Sequence, residues 1–298
     1  MRILSMLLVV GCLGVCVQAK PDPVTPPPRL IDAHVHVWES IPQTDAFRRS
    51  LQAAFDVHHL QLGVVTGPNA LVSGVVALAP GRWLGGVVYG AGYDLPSVAT
   101  MQPLFDAKRL AVFGEIDAAW RGERLDTEFL ERYWEMSETH DIPVFVFSGA
   151  APPGTAFQSC CPKYRTRFGR PDVLEDVLVR HPRLRVNLMQ AGWPYRDETI
   201  ALMHTYPAVY ADLGNLSGNP GIPREEFHDY LRALITAGLG KRLMFGSGLS
   251  IDEWQAKIGD VIAVVNETPF LTAEQRDDIF YNNAARFLRI SDSGIAGP

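Results

Sequence analysis

From Arg29 onward, short runs of β-branched and aliphatic residues alternate with segments of helical period, and eight such pairs can be counted. The predicted strands are Leu30–Val37, Leu60–Thr66, Trp83–Tyr89, Leu110–Ile116, Pro143–Ser148, Leu184–Gln190, Ala208–Leu213 and Arg242–Ser247. Strands apolar on both faces and separated by helices are what a parallel sheet requires, because a helical layer covers each face. The helices carry their own stripes. Phe227, Tyr230, Leu231, Leu234 and Ile235 recur at i, i+3, i+4, i+7 and i+8, and Val173, Leu174, Val177 and Leu178 repeat the pattern. Eight βα repeats favour closure into a (β/α)8 TIM-type barrel. A doubly wound open sheet usually opens with a Gly-rich phosphate loop after its first strand. Here the first strand ends in Ala33-His34-Val35-His36, and neither GxGxxG nor GxSxG occurs.

Composition narrows the partners. Of 298 residues, 47% are hydrophobic and 20% charged, which suits one large soluble core and excludes disorder and multiple membrane spans. A net charge of −6 without a basic run speaks against nucleic acid and leaves a small-molecule substrate as the expected partner. At the N-terminus, Arg2 precedes an apolar run from Ile3 to Val17 that ends in Val17-Gln18-Ala19. This reads as a signal peptide over 1–19, with export to the periplasm or medium, and the run is short for a membrane span. A second cut is visible at Val9-Val10-Gly11-Cys12, which would make the protein a lipoprotein anchored through Cys12. Residues 20–28 hold five prolines and read as a stiff spacer, 29–290 as the barrel and 291–298 as a tail. The mature chain then has no membrane span and retains only Cys160 and Cys161. Near its end, Thr272 and Gln275 predict a capped helix to Leu288, with Phe280, Ala284, Phe287 and Leu288 against the barrel.

In such a barrel the chemistry stands where strands run out into loops. His34 and His36, two apart on the first strand, share a face and offer two nitrogens to a divalent metal. Glu115 ends the fourth strand, aimed at the same mouth. Each has a plainer reading, the histidines as polar core residues and Glu115 as a salt-bridged barrel carboxylate. The other six histidines, His58, His59, His140, His181, His204 and His228, fall in helices or helix-to-strand turns and are read as surface or cap residues.

The motifs Ile31-Asp32-Ala33-His34-Val35-His36, Gly114-Glu115, Met189-Gln190-Ala191-Gly192, Tyr210-Ala211-Asp212, Phe245-Gly246-Ser247 and Asn282-Asn283-Ala284-Ala285-Arg286-Phe287-Leu288 together resemble the amidohydrolase superfamily, in its amidohydrolase-related branch of hydrolases and decarboxylases. The resemblance implies a barrel holding one or two divalent metals, often zinc, with a metal-activated water as nucleophile and a strand-eight aspartate as base.

Three positions depart from that pattern. Phe147 stands where strand five would bring a histidine, Gln190 where strand six would bring another, and Gly248 where strand eight would supply the aspartate. Neither phenylalanine nor glycine offers a ligand, and an amide is poor beside imidazole. The second metal site of binuclear relatives is thus lost. A single ion, zinc first, is expected on His34, His36 and Glu115, with hydrolysis of a small amide, ester or carboxylated substrate weak or absent. The alternative is an inactive barrel that binds in the cell envelope. Asp252 is a weak substitute base, and Asp212 occupies a position usually structural in the family. Reinstating His at 147 and 190 and Asp at 248 is expected to raise metal content and activity without disturbing the outer core. After strand five, a long loop carries Arg165 and Arg167, which could bind a carboxylate or simply be solvated. Its Cys160 and Cys161 read as a vicinal disulfide, a soft metal site or two ordinary thiols.

Overall fold

The computed structural model describes residue 27 and residues 29–218, 221–291 and 294–295, the last three by backbone alone. The predicted signal segment, Cys12, the spacer apart from residue 27 and most of the tail lie outside the described residues. The strands are β1 (Leu30–His36), β2 (Leu60–Gly67), β3 (Trp83–Tyr89), β4 (Val112–Ile116), β5 (Val144–Phe147), β6 (Val186–Met189), β7 (Val209–Asp212), β8 (Leu243–Met244) and β9 (Leu249–Ser250). All are parallel and run in the order β8-β7-β6-β5-β4-β3-β2-β1-β9, with helices between them.

β8 falls within the strand predicted over Arg242–Ser247, and β9 lies just beyond that prediction. The first pairs with β7, the second with β1. Between them Ala33 N donates to the Phe245 carbonyl at 3.0 Å and Gly248 N to the His34 carbonyl at 2.8 Å, so the ring closes as a (β/α)8 TIM-type barrel. The strand breaks because Gly248 lies at φ +69°, outside the extended region. Among the described residues no helix is long and apolar enough to cross a membrane.

Two apolar layers hold the barrel. One lies between strands and helices and includes Leu231 and Leu234 of the predicted helical stripe. The other fills the barrel floor: Ile31, Ala33, Leu62, Val64, Val112, Phe145, Met189 and Met244 meet Ala284, Phe287 and Leu288 from the C-terminal helix. Burying a Phe or Leu side chain contributes about 1.5–3 kcal/mol, so this plug stabilises the end of the barrel opposite the mouth. Its helix begins as expected, with Thr272 accepting from Gln275 N and donating its own N–H to Gln275 Oε1. A wider π turn over Asp278–Asn282 then shifts the phase. Phe280 therefore packs on Phe245 in the outer layer, while Phe287 joins the floor.

Candidate active site

Pairing between β1 and β2 steps from Asp32↔Gly63 to Val35↔Val65, so two β1 residues face one β2 residue. Such a bulge re-aims side chains. Asp32 turns toward the helical layer, where its carboxylate accepts from Trp254 Nε1 at 2.9 Å and Ser247 N at 2.8 Å. Ala33 faces the floor, and His34 and His36 both reach the mouth. Beside them, Glu115 follows Gly114, whose φ is +129° and where any Cβ would collide with the Phe145 carbonyl oxygen. Only glycine lets β4 pass so close to β5.

His34, His36 and Glu115 are all buried, and their ligand atoms lie within 4.8 Å of one another. His34 Nδ1 is 2.8 Å from Asp212 Oδ1, which turns its Nε2 toward His36 Nε2 at 3.0 Å. His36 Nδ1 lies 3.2 Å from Glu115 Oε2. Asp212 is itself fixed by four donors: its Oδ1 accepts from His34, Gly214 N and Gln190 N, and its Oδ2 from Asn187 Nδ2 at 2.6 Å. Burial works against a charged His34, yet Asp212, and behind it Glu115 and Asp32, push its pKa up to about 9. Glu115 is held below the usual carboxylate range, because His36 and His34 outweigh its burial. Asp117, two residues on, is pushed well up by burial and by the Glu115 charge.

The donor set suits a divalent cation. Glu115 Oε2 is sealed from water, and its 3.2 Å contact with His36 Nδ1 lacks hydrogen-bond geometry, which leaves it without a hydrogen bond among the described residues. A bare ion coordinated at about 2.0–2.2 Å sits closer to such an oxygen than a water does. Two imidazoles with facing Nε2 atoms and one carboxylate are ligands that zinc accepts. The Asp212 contact on Nδ1 is the outer support that ligating histidines normally have.

A cavity of about 680 Å³ opens above these groups, lined among others by His36, Glu115, Asp117, Phe147, Gln190 and Gly248. Phe147 is buried against Trp120, and Gln190 begins the turn after β6. Gly248 departs from expectation. A Cβ there would lie 2.5 Å from Asn215 N and Oδ1, so Asn215 fills the space of a strand-eight side chain and an aspartate cannot simply be reinstated. Asp252 is exposed in the first turn of the helix Ile251–Asn266 and does not line the cavity. Arg165 spends its guanidinium on the Pro162 and Tyr164 carbonyls, Arg167 lies over the Phe168 ring, and neither lines the cavity. A place in the loop after β5 does not bring Arg165 to the mouth, because carbonyls of its own loop hold it. Cys160 and Cys161 are joined as a vicinal disulfide in the cavity wall, which selects one of the three readings.

Three contributors escaped sequence reasoning. Asp117 has the i, i+2 relation to Glu115 that marked the histidine pair, and that spacing was its available signal. Asn215 carries none, since only its φ of +59° and the approach of the chain ends bring it to Gly248. The aromatic wall of Trp38, Tyr93, Trp120 and Trp193 is drawn from four separate segments, Trp120 from the short helix Ala118–Arg121.

Comparison with known proteins gives a family and a fold. The family model described as Amidohydrolase, Amidohydro_2, matches residues 31–290. No curated protein matches the chain in sequence. Among solved structures, the chain is similar to an amidohydrolase from Burkholderia multivorans with bound zinc, at 18% identity, a TM-score of 0.64 and coverage of 88% of this chain and 100% of that one. It is similar to a probable 2-pyrone-4,6-dicarboxylic acid hydrolase from Acinetobacter baumannii with citric acid bound, at 14% identity, TM-score 0.62 and coverage of 88% and 100%. An uncharacterized TIM-barrel protein from Bordetella bronchiseptica gives 18% identity, TM-score 0.61 and coverage of 88% and 98%.

Proposed function

The chain belongs to the amidohydrolase family, and on that premise we propose an exported hydrolase of small esters or amides with one divalent ion, zinc first, on His34, His36 and Glu115. The observation that carries this reading is the buried cluster itself, with a carboxylate oxygen sealed from water and without a hydrogen bond at the foot of a substrate-sized cavity. When bound, the ion would supply Lewis-acid polarisation. The chain's own residues hold the geometry. Asp212 fixes the His34 ring and presents its Nε2 to the mouth. Phe147 takes a place where a second set of ligands would stand, so the centre is reduced to a single ion. The crowding of Gly248 by Asn215 leaves strand eight without a base. A positioned base contributes roughly 10²–10⁴-fold, so turnover is expected to be slow. That same absence favours the second reading, a barrel that binds without turnover. Export is supported by the apolar N-terminal run and by the joined Cys160–Cys161, a form that persists in oxidising compartments.

Elemental analysis of purified protein tests the metal centre. About one zinc per chain is expected, lost in His34→Ala. No zinc in the parent, or an unchanged content in the variant, overturns it. Slow hydrolysis of 1-naphthyl acetate that disappears in His34→Ala supports the enzyme, whereas zinc without any turnover supports the binding barrel.

A further inference from the structure

The wall above the metal-ligand cluster has a chemistry of its own. Trp38 stacks on His36 at 5.1 Å and Tyr93 on Trp38 at 5.7 Å, so aromatic faces run outward from the cluster. Trp120 and Trp193 line the cavity as well, and the Cys160–Cys161 disulfide forms part of the same lining. Among the described residues no Lys or Arg lines the cavity, while Glu115 and Asp117 both do. Behind the wall, Arg121 donates to the carbonyl of Gly90, a lining residue. It is paired with Asp94 at 2.9 Å and Glu123 at 3.3 Å. Arg165 is bonded to carbonyls of its own loop. The Trp120 indole N–H is buried without a hydrogen-bond partner among the described residues.

Taking the barrel mouth as the substrate site, as proposed above, we infer that its wall, apart from any ion bound at its foot, favours uncharged ring-bearing molecules over carboxylates. A flat ring gains from the aromatic faces whatever its substituents. A carboxylate entering the cavity gives up hydration with no Lys or Arg side chain in the wall to meet it, and does so above the Glu115 carboxylate. A neutral molecule has no such cost. The disulfide adds polarizable but uncharged surface at the lip, which favours the same molecules.

The test is calorimetric titration with two ligands that share a ring and differ in charge, 3-hydroxybenzamide and 3-hydroxybenzoate. The full protein is used both zinc-loaded and after chelation. In the chelated protein the amide is expected to bind at least about tenfold tighter, equivalent to about 1.4 kcal/mol. Ala151→Lys places a cation on a half-buried lining position and is expected to shrink that ratio below about threefold. The inference is overturned if the benzoate binds as tightly as the amide in the chelated parent, if neither binds, or if a folded Ala151→Lys leaves the ratio unchanged. Because the parent comparison stands without the variant, a misfolded Ala151→Lys does not rescue the idea. Zinc stoichiometry reports separately on the metal centre, so the failure of one reading is distinguishable from that of the other.

Discussion

Replacing Asp212 by Asn keeps the shape of the residue and removes its charge. In the parent, three donors converge on Oδ1 and the Asn187 amide on Oδ2, and the group is fully buried. The new amide can keep its oxygen toward the three donors, but its NH₂ then faces the Asn187 NH₂. Asn187 can turn over, since its Oδ1 has no partner among the described residues, yet doing so strands its own NH₂. One stranded buried donor costs about 1–3 kcal/mol, and the bond to His34 loses the extra strength of a charged acceptor. The sum is about 2–4 kcal/mol. In a chain somewhat larger than 250 residues each kcal/mol moves Tm by about 2–4 °C, so a fall of roughly 4–16 °C is expected in differential scanning calorimetry. Loss of the partner that orients a metal-ligating histidine also weakens metal affinity by about 10–100-fold, read by zinc competition against a chromophoric chelator. A Tm within about 1 °C of the parent together with unchanged zinc affinity would refute the argument that Asp212 holds His34.

Three further outcomes follow from the same contacts. Gly248→Asp alone is expected to lower stability by about 1–3 kcal/mol in thermal melts and to add no hydrolysis, because φ is positive and Asn215 is in the way; adding Asn215→Gly should recover part of the loss, and a stable, active single variant contradicts this. Glu131, held low first by Arg180 and then by His181 against mild burial, contributes stability present above pH 4.5 and lost as pH falls below it. Glu131→Gln should therefore cost at most about 1 kcal/mol at pH 7 in urea melts, and progressively less below pH 4.5, because the pair is partly exposed. Finally, thiol titration of denatured, unreduced protein expressed without residues 1–19 should find no free thiol and two after reduction, and two before reduction would remove the vicinal disulfide from the cavity wall.

The sequence by itself determined the alternation of strands and helices, the shared face of His34 and His36, and the Thr272 capping box. These depend on residues a few positions apart, where the periods of strand and helix and the reach of one side chain are sufficient. The same locality exposed the departures at Phe147, Gln190 and Gly248. What the tertiary structure decided depends on segments far apart in the chain. Asp32 faces Trp254 rather than the mouth because of the β1 bulge, and Arg165 leaves the site because carbonyls of its own loop satisfy the guanidinium. Asn215 closes strand eight because the chain after β7 is brought against Gly248. Asp117 shares a wall with Trp38 and Trp193 because barrel closure gathers the loops of different strands around one mouth. Local periodicity specifies which way a side chain points along its own strand, but barrel closure sets what it meets there, and in this protein that sets an aromatic wall above a cluster of candidate metal ligands.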